Sequence, residues 1–349
     1  MNSLRLGLYS ATLILATTWS LPSMADKYKI GYFESGFSSI YKNTLDATKK
    51  ALAEKGWGDK YEIPKDAYFS PGFGKDKLAA REAAVKKLMA RKDLALIISA
   101  GTGATQIMQK FNNKKTPIIG VAISDPIRSK FVIDQNDSGL ENFTTRLVPG
   151  RYKRMFQIFH DETNYKRLGL IYVDNDKGKI FANVDDAVEV SKERGYEIVH
   201  YKFADTPKPE QCMKALETLV AKKIDAFYMP SLTCFEWKKY DANKFLAYLR
   251  DNKVPTFARQ GSEDVKAGAL MGFSTVDYSQ RGQFIADKII DILEGGSPRK
   301  QKMVDEAPPK IAINLHVAKQ IGFDPSFEIL GASDEIYNEI TLPEKRLVK

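Results

Sequence analysis

The chain has 349 residues, 43% hydrophobic and 28% charged, with 53 Lys+Arg against 44 Asp+Glu and a formal net charge of +9. This is a globular composition, and 15 Pro with 23 Gly are too few for a disordered or collagenous chain. Two cysteines exclude a disulfide-dense scaffold and a four-thiolate zinc site, three scattered histidines suggest no metal motif, and the length suits two domains, each with its own core.

Residues 1–25 read as a cleavable signal peptide. Arg5 is followed by an uncharged, mostly apolar run over 6–21, then by Pro22-Ser23-Met24-Ala25 with small residues at the cleavage positions. The run is shorter than the ~20 residues of a membrane span. Loss of Arg5 with this segment leaves 52 Lys+Arg against 44 Asp+Glu, net +8, in a mature chain that starts at Asp26 and is expected in the periplasm.

Beyond it, short apolar runs alternate with amphipathic stretches. Residues 30–33 read as a strand and 44–55 as a helix, with Leu45, Thr48, Ala51 and Leu52 on one face. A weaker strand at 62–68, a helix at 77–91 and a strand at 94–99 follow; the last is a continuous apolar run, as in a strand buried on both faces. A helix at 102–111 and a strand at 117–123 complete a βαβ alternation. The pattern then restarts: helix 151–159, strand 168–173, helix 181–194, strand 197–201, helix 209–221, strand 225–229, helix 243–251 and strand 254–257. A strand at 268–273, a long helix at 281–294 and a short helix at 315–320 end the chain. The fold class is α/β, with two Rossmann-like, doubly wound lobes.

The common catalytic motifs are missing. Gly101-Thr102-Gly103 follows a buried strand and opens a helix, but Gln106 stands where a dinucleotide fingerprint needs glycine. There is no phosphate loop, no G-x-S-x-G elbow and no H-E-x-x-H. No cofactor is implied. The basic residues are interspersed with acidic ones on the outer faces of helices, with no nucleic-acid recognition motif.

A binding role is better supported. In open α/β sheets the ligand lies beyond the carboxyl ends of the strands. Those ends are Glu34 and Ser35; Gly101, Thr102 and Gly103; Ser124 and Asp125; then Asp174 and Asn175; Ser231; and Arg259 with Gln260. Free backbone N–H groups at Thr102 and Gly103 suit an anion, and Arg259 could hold a carboxylate with two hydrogen bonds.

The run 98–106 (ISAGTGATQ), then 116–126 (TPIIGVAISDP), resembles the TrpX-like ABC transporter substrate-binding protein family. Gly268-Ala269-Leu270, Asp277-Tyr278, 292–296 (ILEGG) and Asn314 with Ala318 and Gly322 resemble its later signatures. The resemblance spans roughly 28–330. It implies a type I periplasmic binding protein whose two lobes, joined by a three-strand hinge, close on a small ligand. That ligand would be an amino acid or related carboxylate, delivered to the membrane permease of an ABC importer. The segments 34–41 and 145–154 depart from the family pattern where the cleft is expected, so the ligand itself stays open. A sensory protein of the same fold feeding a membrane receptor, or an exported α/β enzyme, are the alternatives. The first lobe is expected over 28–142 plus 276–298 and the second over 143–275 plus 299–349, with crossings near 140–148, 272–278 and 297–306.

Cys212 and Cys234 both survive signal cleavage. Cys212 opens the helix at 209–221 and Cys234 follows the strand at 225–229, so both lie at one sheet edge, where a disulfide is possible. Two reduced thiols are the alternative.

Overall fold

A computed structural model describes residues 26–237, 240–274, 278–306 and 310–343. The expected signal peptide and residues 275–277 of the expected second crossing lie outside them.

The first lobe runs β1 (Tyr28–Glu34), α1 (Ser39–Glu54), β2 (Tyr61–Glu62), β3 (Tyr68–Phe69), α2 (Leu78–Ala90), β4 (Leu94–Ala100), α3 (Thr102–Lys110), β5 (Ile118–Val121) and β6 (Phe143–Thr145). Its parallel sheet has the order β2-β1-β4-β5-β6, with β3 also beside β1. Nearly every side chain of β1 and β4 is buried, because helices cover both faces. On one side Leu45 and Leu52 of α1 pack with Ile30 and Ile98. On the other Val85, Leu88 and Met108 of α2 and α3 pack with Phe33 and Ile97.

The second lobe runs α4 (Arg151–Thr163), β7 (Arg167–Val173), α5 (Asp176–Phe181), α6 (Val184–Arg194), β8 (Glu197–Phe203), α7 (Pro209–Ala221), β9 (Ala226–Met229), α8 (Asn243–Asp251), β10 (Thr256–Ala258), α9 (Ser262–Lys266) and β11 (Met271–Phe273). After α10 (Ser279–Leu293) the chain adds β12 (Ile311–Asn314), α11 (Leu315–Ile321), α12 (Phe327–Ala332) and β13 (Ser333–Tyr337). The sheet order is β13-β12-β11-β10-β9-β7-β8, parallel except where β12 runs against β11. Both sheets reverse winding beside their first strand, at β1/β4 and at β7/β9, and such switch points open the crevices in which α/β proteins hold ligands.

Three connections join the lobes. The chain passes from β6 into α4, from β11 into α10, and from α10 back to β12. The first and third run side by side: Leu147 N–H donates to the Met303 carbonyl and Asp305 N–H to the Leu147 carbonyl, both at 2.8 Å. Helix α10 packs on α1 of the first lobe through Ile285, Ala286 and Ile289. Gly282 permits this approach, since a Cβ there would stand 2.5 Å from the Ala47 carbonyl.

Several details differ from the sequence reading. The expected strand at 62–68 is two two-residue strands separated by a 3-10 turn after Pro64, which has no N–H for a ladder. The helix expected over 181–194 is α6, which starts only at Val184; Asn183, whose φ of 53° lies in the left-handed region, separates it from α5, a short helix the pattern does not show. Residues 143–145 pair with β5, so the first sheet continues past the expected limit of 142. Met303, assigned by pattern to the second lobe, is buried in the first-lobe core beside Phe143 and Leu147. Elements β6, α9, β12, α12 and β13 were not read from the sequence, being short or lacking a clear period.

Cys212, in the first turn of α7, is disulfide-bonded to Cys234 beyond β9, with Cα atoms 6.6 Å apart. Both are fully buried, in the core formed by α7, α8 and Phe235. Among the described residues no helix is long and apolar enough to cross a membrane.

Candidate functional site

The carboxyl edge of the first sheet brings the loops after β1, β4 and β5 together. Gly101 adopts φ +92°, and a Cβ there would overlap the Tyr41 hydroxyl at 2.2 Å. Glycine therefore lets the strand turn directly into α3 beneath an aromatic side chain. No side chain caps α3, leaving its first N–H groups, Thr102 and Gly103 among them, to face outward. Ser35 is buried, its Oγ has no partner, and it lies 3.4 Å from where a Cβ on Gly103 would be. A hydroxyl, the N–H groups and the positive end of the helix dipole thus converge on one point.

Glu34 is also buried, but its carboxylate is engaged. One oxygen accepts from Tyr32 Oη at 3.0 Å and the other from Ser70 Oγ at 2.7 Å. Burial raises its carboxyl above the ordinary value, against the pull of those two bonds. Tyr41 is pushed up to about 12 by burial and by the carboxylates of Glu34 and Glu236. Glu236 belongs to the second lobe, so Tyr41 stands between the lobes.

A chain of hydrogen bonds crosses from one lobe to the other. Thr102 Oγ1 accepts from Ser124 N–H at 3.1 Å, and the Ser124 carbonyl accepts from Tyr152 Oη at 2.6 Å. Arg259 Nη2 donates to Tyr152 Oη at 3.1 Å, its guanidinium lying 4.9 Å from the Tyr152 ring centre. Arg259 Nε donates to Asn183 Oδ1 at 2.8 Å, and Tyr228 Oη donates to the same atom. The break between α5 and α6 places Asn183 there. Beside this chain is a cavity of about 290 Å³, lined by 123–128, 146–152 and Asp186.

Asp125 sits in the first of those stretches. Its Oδ1 accepts from Arg128 N–H at 2.9 Å, and Arg128 reaches across to make two bonds to Asp186 of α6. Burial draws the Arg128 guanidinium down, and the bonds to Asp186 outweigh it and leave it above the ordinary value. Lys177 Nζ donates to Gln106 Oε1 at 3.2 Å, a further polar contact between lobes. Replacing Arg128 by alanine is expected to weaken the apposition of the lobes by on the order of 1–2 kcal/mol. Small-angle scattering should then give a larger radius of gyration than the parent; an unchanged radius would show that the pair does not hold the lobes together.

The structure thus brings Ser35, Gly101, Thr102, Gly103, Ser124 and Arg259 to one region, with Glu34 behind it and Asp125 at its rim. Asn175 is not part of it: the residue is exposed and its side chain accepts from Gly178 N–H at 2.8 Å as the N-cap of α5. Asp174 is exposed too and pairs with Lys202 at 3.5 Å. Ser231 is partly buried in the loop after β9. Tyr41, Arg128, Arg151, Tyr152 and Asn183 were not read as site residues, although all but Arg128 and Asn183 lie in the two segments that depart from the family pattern. Among the described residues no group of His, Cys, Asp and Glu could hold a metal ion.

Comparison with known proteins agrees with this architecture. The ABC domain from Streptococcus pneumonia in complex with L-Trp superposes with a TM-score of 0.70 at 21% identity, covering 89% of this chain and all of that one. A conserved domain protein from Vibrio cholerae gives 0.70 at 19% identity with the same coverage. A glucose-galactose binding protein from Geobacillus stearothermophilus gives 0.57 at 14% identity, over 83% of this chain and 98% of that one. These identities establish the fold, that of the type I periplasmic binding proteins, and no more. No curated protein sequence matches the chain. The family model for ABC transporter substrate binding protein matches residues 40–336, nearly all of the two lobes. The chain therefore belongs to the ABC transporter substrate-binding proteins.

Proposed function

We propose that the protein works in the periplasm, capturing a small organic solute between its lobes and presenting it to the permease of an ABC importer. The solute class is an amino acid or a related carboxylate. The observation that carries this reading is the convergence of the unpartnered Ser35 hydroxyl with the N-terminus of α3, at the end of the hydrogen-bond chain from Arg259. A carboxylate seated there would accept from Ser35 Oγ and from the N–H groups of Thr102 and Gly103. Glu34 and Asp125 lie within the same region for an amine. Ligand that bonds to both lobes favours the closed form by its differential affinity for it.

A thermal-shift screen with free amino acids and small carboxylates tests the reading. A ligand at 100 times its dissociation constant adds about 2.7 kcal/mol of stability. Gly103→Pro is expected to abolish that gain while leaving the fold intact, because proline is tolerated in a first helical turn but removes one N–H donor. Unchanged affinity in this variant would move the carboxylate away from α3.

A further inference from the structure

Among the described residues, the cleft holds guanidiniums that no carboxylate pairs with. Arg128 is met by Asp186 and Asp125, and Arg146 by Asp305, at 2.7 Å from Nε and 2.6 Å from Nη2. Three other guanidiniums, those of Arg151, Arg259 and Arg281, make no ion pair among the described residues. Arg259 is held by neutral groups, Asn183 and Tyr152. Arg281 donates to Thr44 Oγ1 at 3.2 Å and lies 4.9 Å from the Tyr278 ring centre. Arg151 lies 5.7 Å from the Phe273 ring centre, and its Nε is buried without a hydrogen-bond partner.

These cations act on one another. Burial first, then repulsion from Arg146 and Arg259, lowers the Arg151 guanidinium. Burial first, then repulsion from Arg146 and Arg151, lowers the Arg281 guanidinium as well. Arg151 lines the 290 Å³ cavity, as does Tyr152, the partner of Arg259, so a guanidinium without an ion pair among the described residues faces space that a small molecule could fill.

We propose that the ligand of this cleft is a small organic anion bearing at least two negative charges, with one acidic group on Arg151 and its neighbours Arg259 and Arg281 balancing the rest. This rests on the reading of the cleft as the solute site, and within that site it favours a dianion over a zwitterionic amino acid. A buried charge without a counter-charge is costly, and a partner that restores the balance is correspondingly favoured. A zwitterionic amino acid brings no net negative charge, because its ammonium offsets its carboxylate; a monocarboxylate brings one. The guanidinium fork matches carboxylate and phosphate oxygens alike, so dicarboxylates and phosphate monoesters share the required chemistry.

Titration calorimetry on the mature protein separates the cases. Succinate is compared with butyrate, which has the same carbon skeleton and one fewer carboxylate, and glycerol 3-phosphate with glycerol. L-Leucine and L-tryptophan serve as zwitterions. The expected result is at least tenfold tighter binding of succinate or glycerol 3-phosphate than of its partner probe, and which of the two binds distinguishes carboxylate from phosphate. Arg151→Gln and Arg259→Gln should each weaken that binding at least tenfold. Arg151→Gln should also raise the melting temperature of the ligand-free protein by removing repulsion, which a loss of structure would not do. Tighter binding of L-leucine or L-tryptophan than of either dianion, unaffected by Arg151→Gln, would overturn the proposal and leave the solute-binding reading standing. No heat with any of the six probes would overturn the proposal and count against that reading as well.

Discussion

Asp264→Asn is expected to stabilise the protein increasingly as pH rises, by about 4 kcal/mol more at pH 8 than at pH 4. Asp264 lies in α9, is 4% exposed, and its carboxylate accepts a hydrogen bond from Trp237 Nε1 at 2.7 Å. Burial, aided by the nearby Glu263 and Glu236 and opposed by the Trp237 bond, raises its carboxyl from 3.8 to about 7. Below the unfolded value both states are protonated, and the group costs nothing. Between there and about 7 the unfolded chain gives up the proton while the folded protein keeps it. Stability therefore falls by about 1.4 kcal/mol for each pH step across that window and levels off above it. Asparagine keeps an oxygen for Trp237 and has no proton to lose. Urea unfolding of parent and variant at pH 4, 6 and 8 measures the difference directly. A difference that stays constant with pH would show that Asp264 ionises in the folded protein as readily as in the unfolded one.

Removing the disulfide has the next largest effect. Cys212 and Cys234 are 22 positions apart, and closing a loop of that length corresponds to roughly 3 kcal/mol in the chain-entropy model. The double variant Cys212→Ala/Cys234→Ala is expected to lose about that much in denaturant unfolding. It should also become insensitive to dithiothreitol, to which the parent responds. The bond ties the start of α7 to the loop after β9, the loop that leads to Glu236 and Trp237. Its loss should therefore speed hydrogen exchange first in 230–237. Equal stability of parent and variant would mean that the unfolded chain is already restricted there or that the bond does not form.

Much of the lobe architecture was legible from local pattern. The continuous apolar run at 94–99 can be satisfied only by a strand covered on both faces, and it forms the centre of the first sheet. The stripe of Leu45, Thr48, Ala51 and Leu52 repeats at the helical period and is the buried face of α1. Gly101 had to precede a helix, because a strand turning that sharply under Tyr41 leaves no room for a Cβ. Elements shorter than about five residues carry no readable period, so β6 and β12 were missed. The antiparallel placement of β12 depends on where the chain returns from the first lobe.

The site divides along the same line. Strand ends point to Ser35, Thr102, Gly103 and Arg259 without any tertiary information, since the carboxyl edge of a parallel sheet is set by strand direction alone. The same rule wrongly included Asn175, because a residue after a strand is equally well placed to cap the next helix, and that is where its side chain is spent. Nothing local distinguishes Arg151, Arg154 and Lys153: all three are basic residues in the first turn of one helix. Lys153 reaches Glu189 and Glu193 on the neighbouring α6, whereas Arg151 turns onto Phe273 and meets other arginines. The sequence by itself determined two doubly wound lobes and which residues stand at the carboxyl ends of their strands, because periodicity and burial act over a few residues. Only the tertiary structure decided the Arg128–Asp186 pair and the gathering of guanidiniums that have no ion pair among the described residues, because each depends on which surfaces meet when the two lobes are brought together.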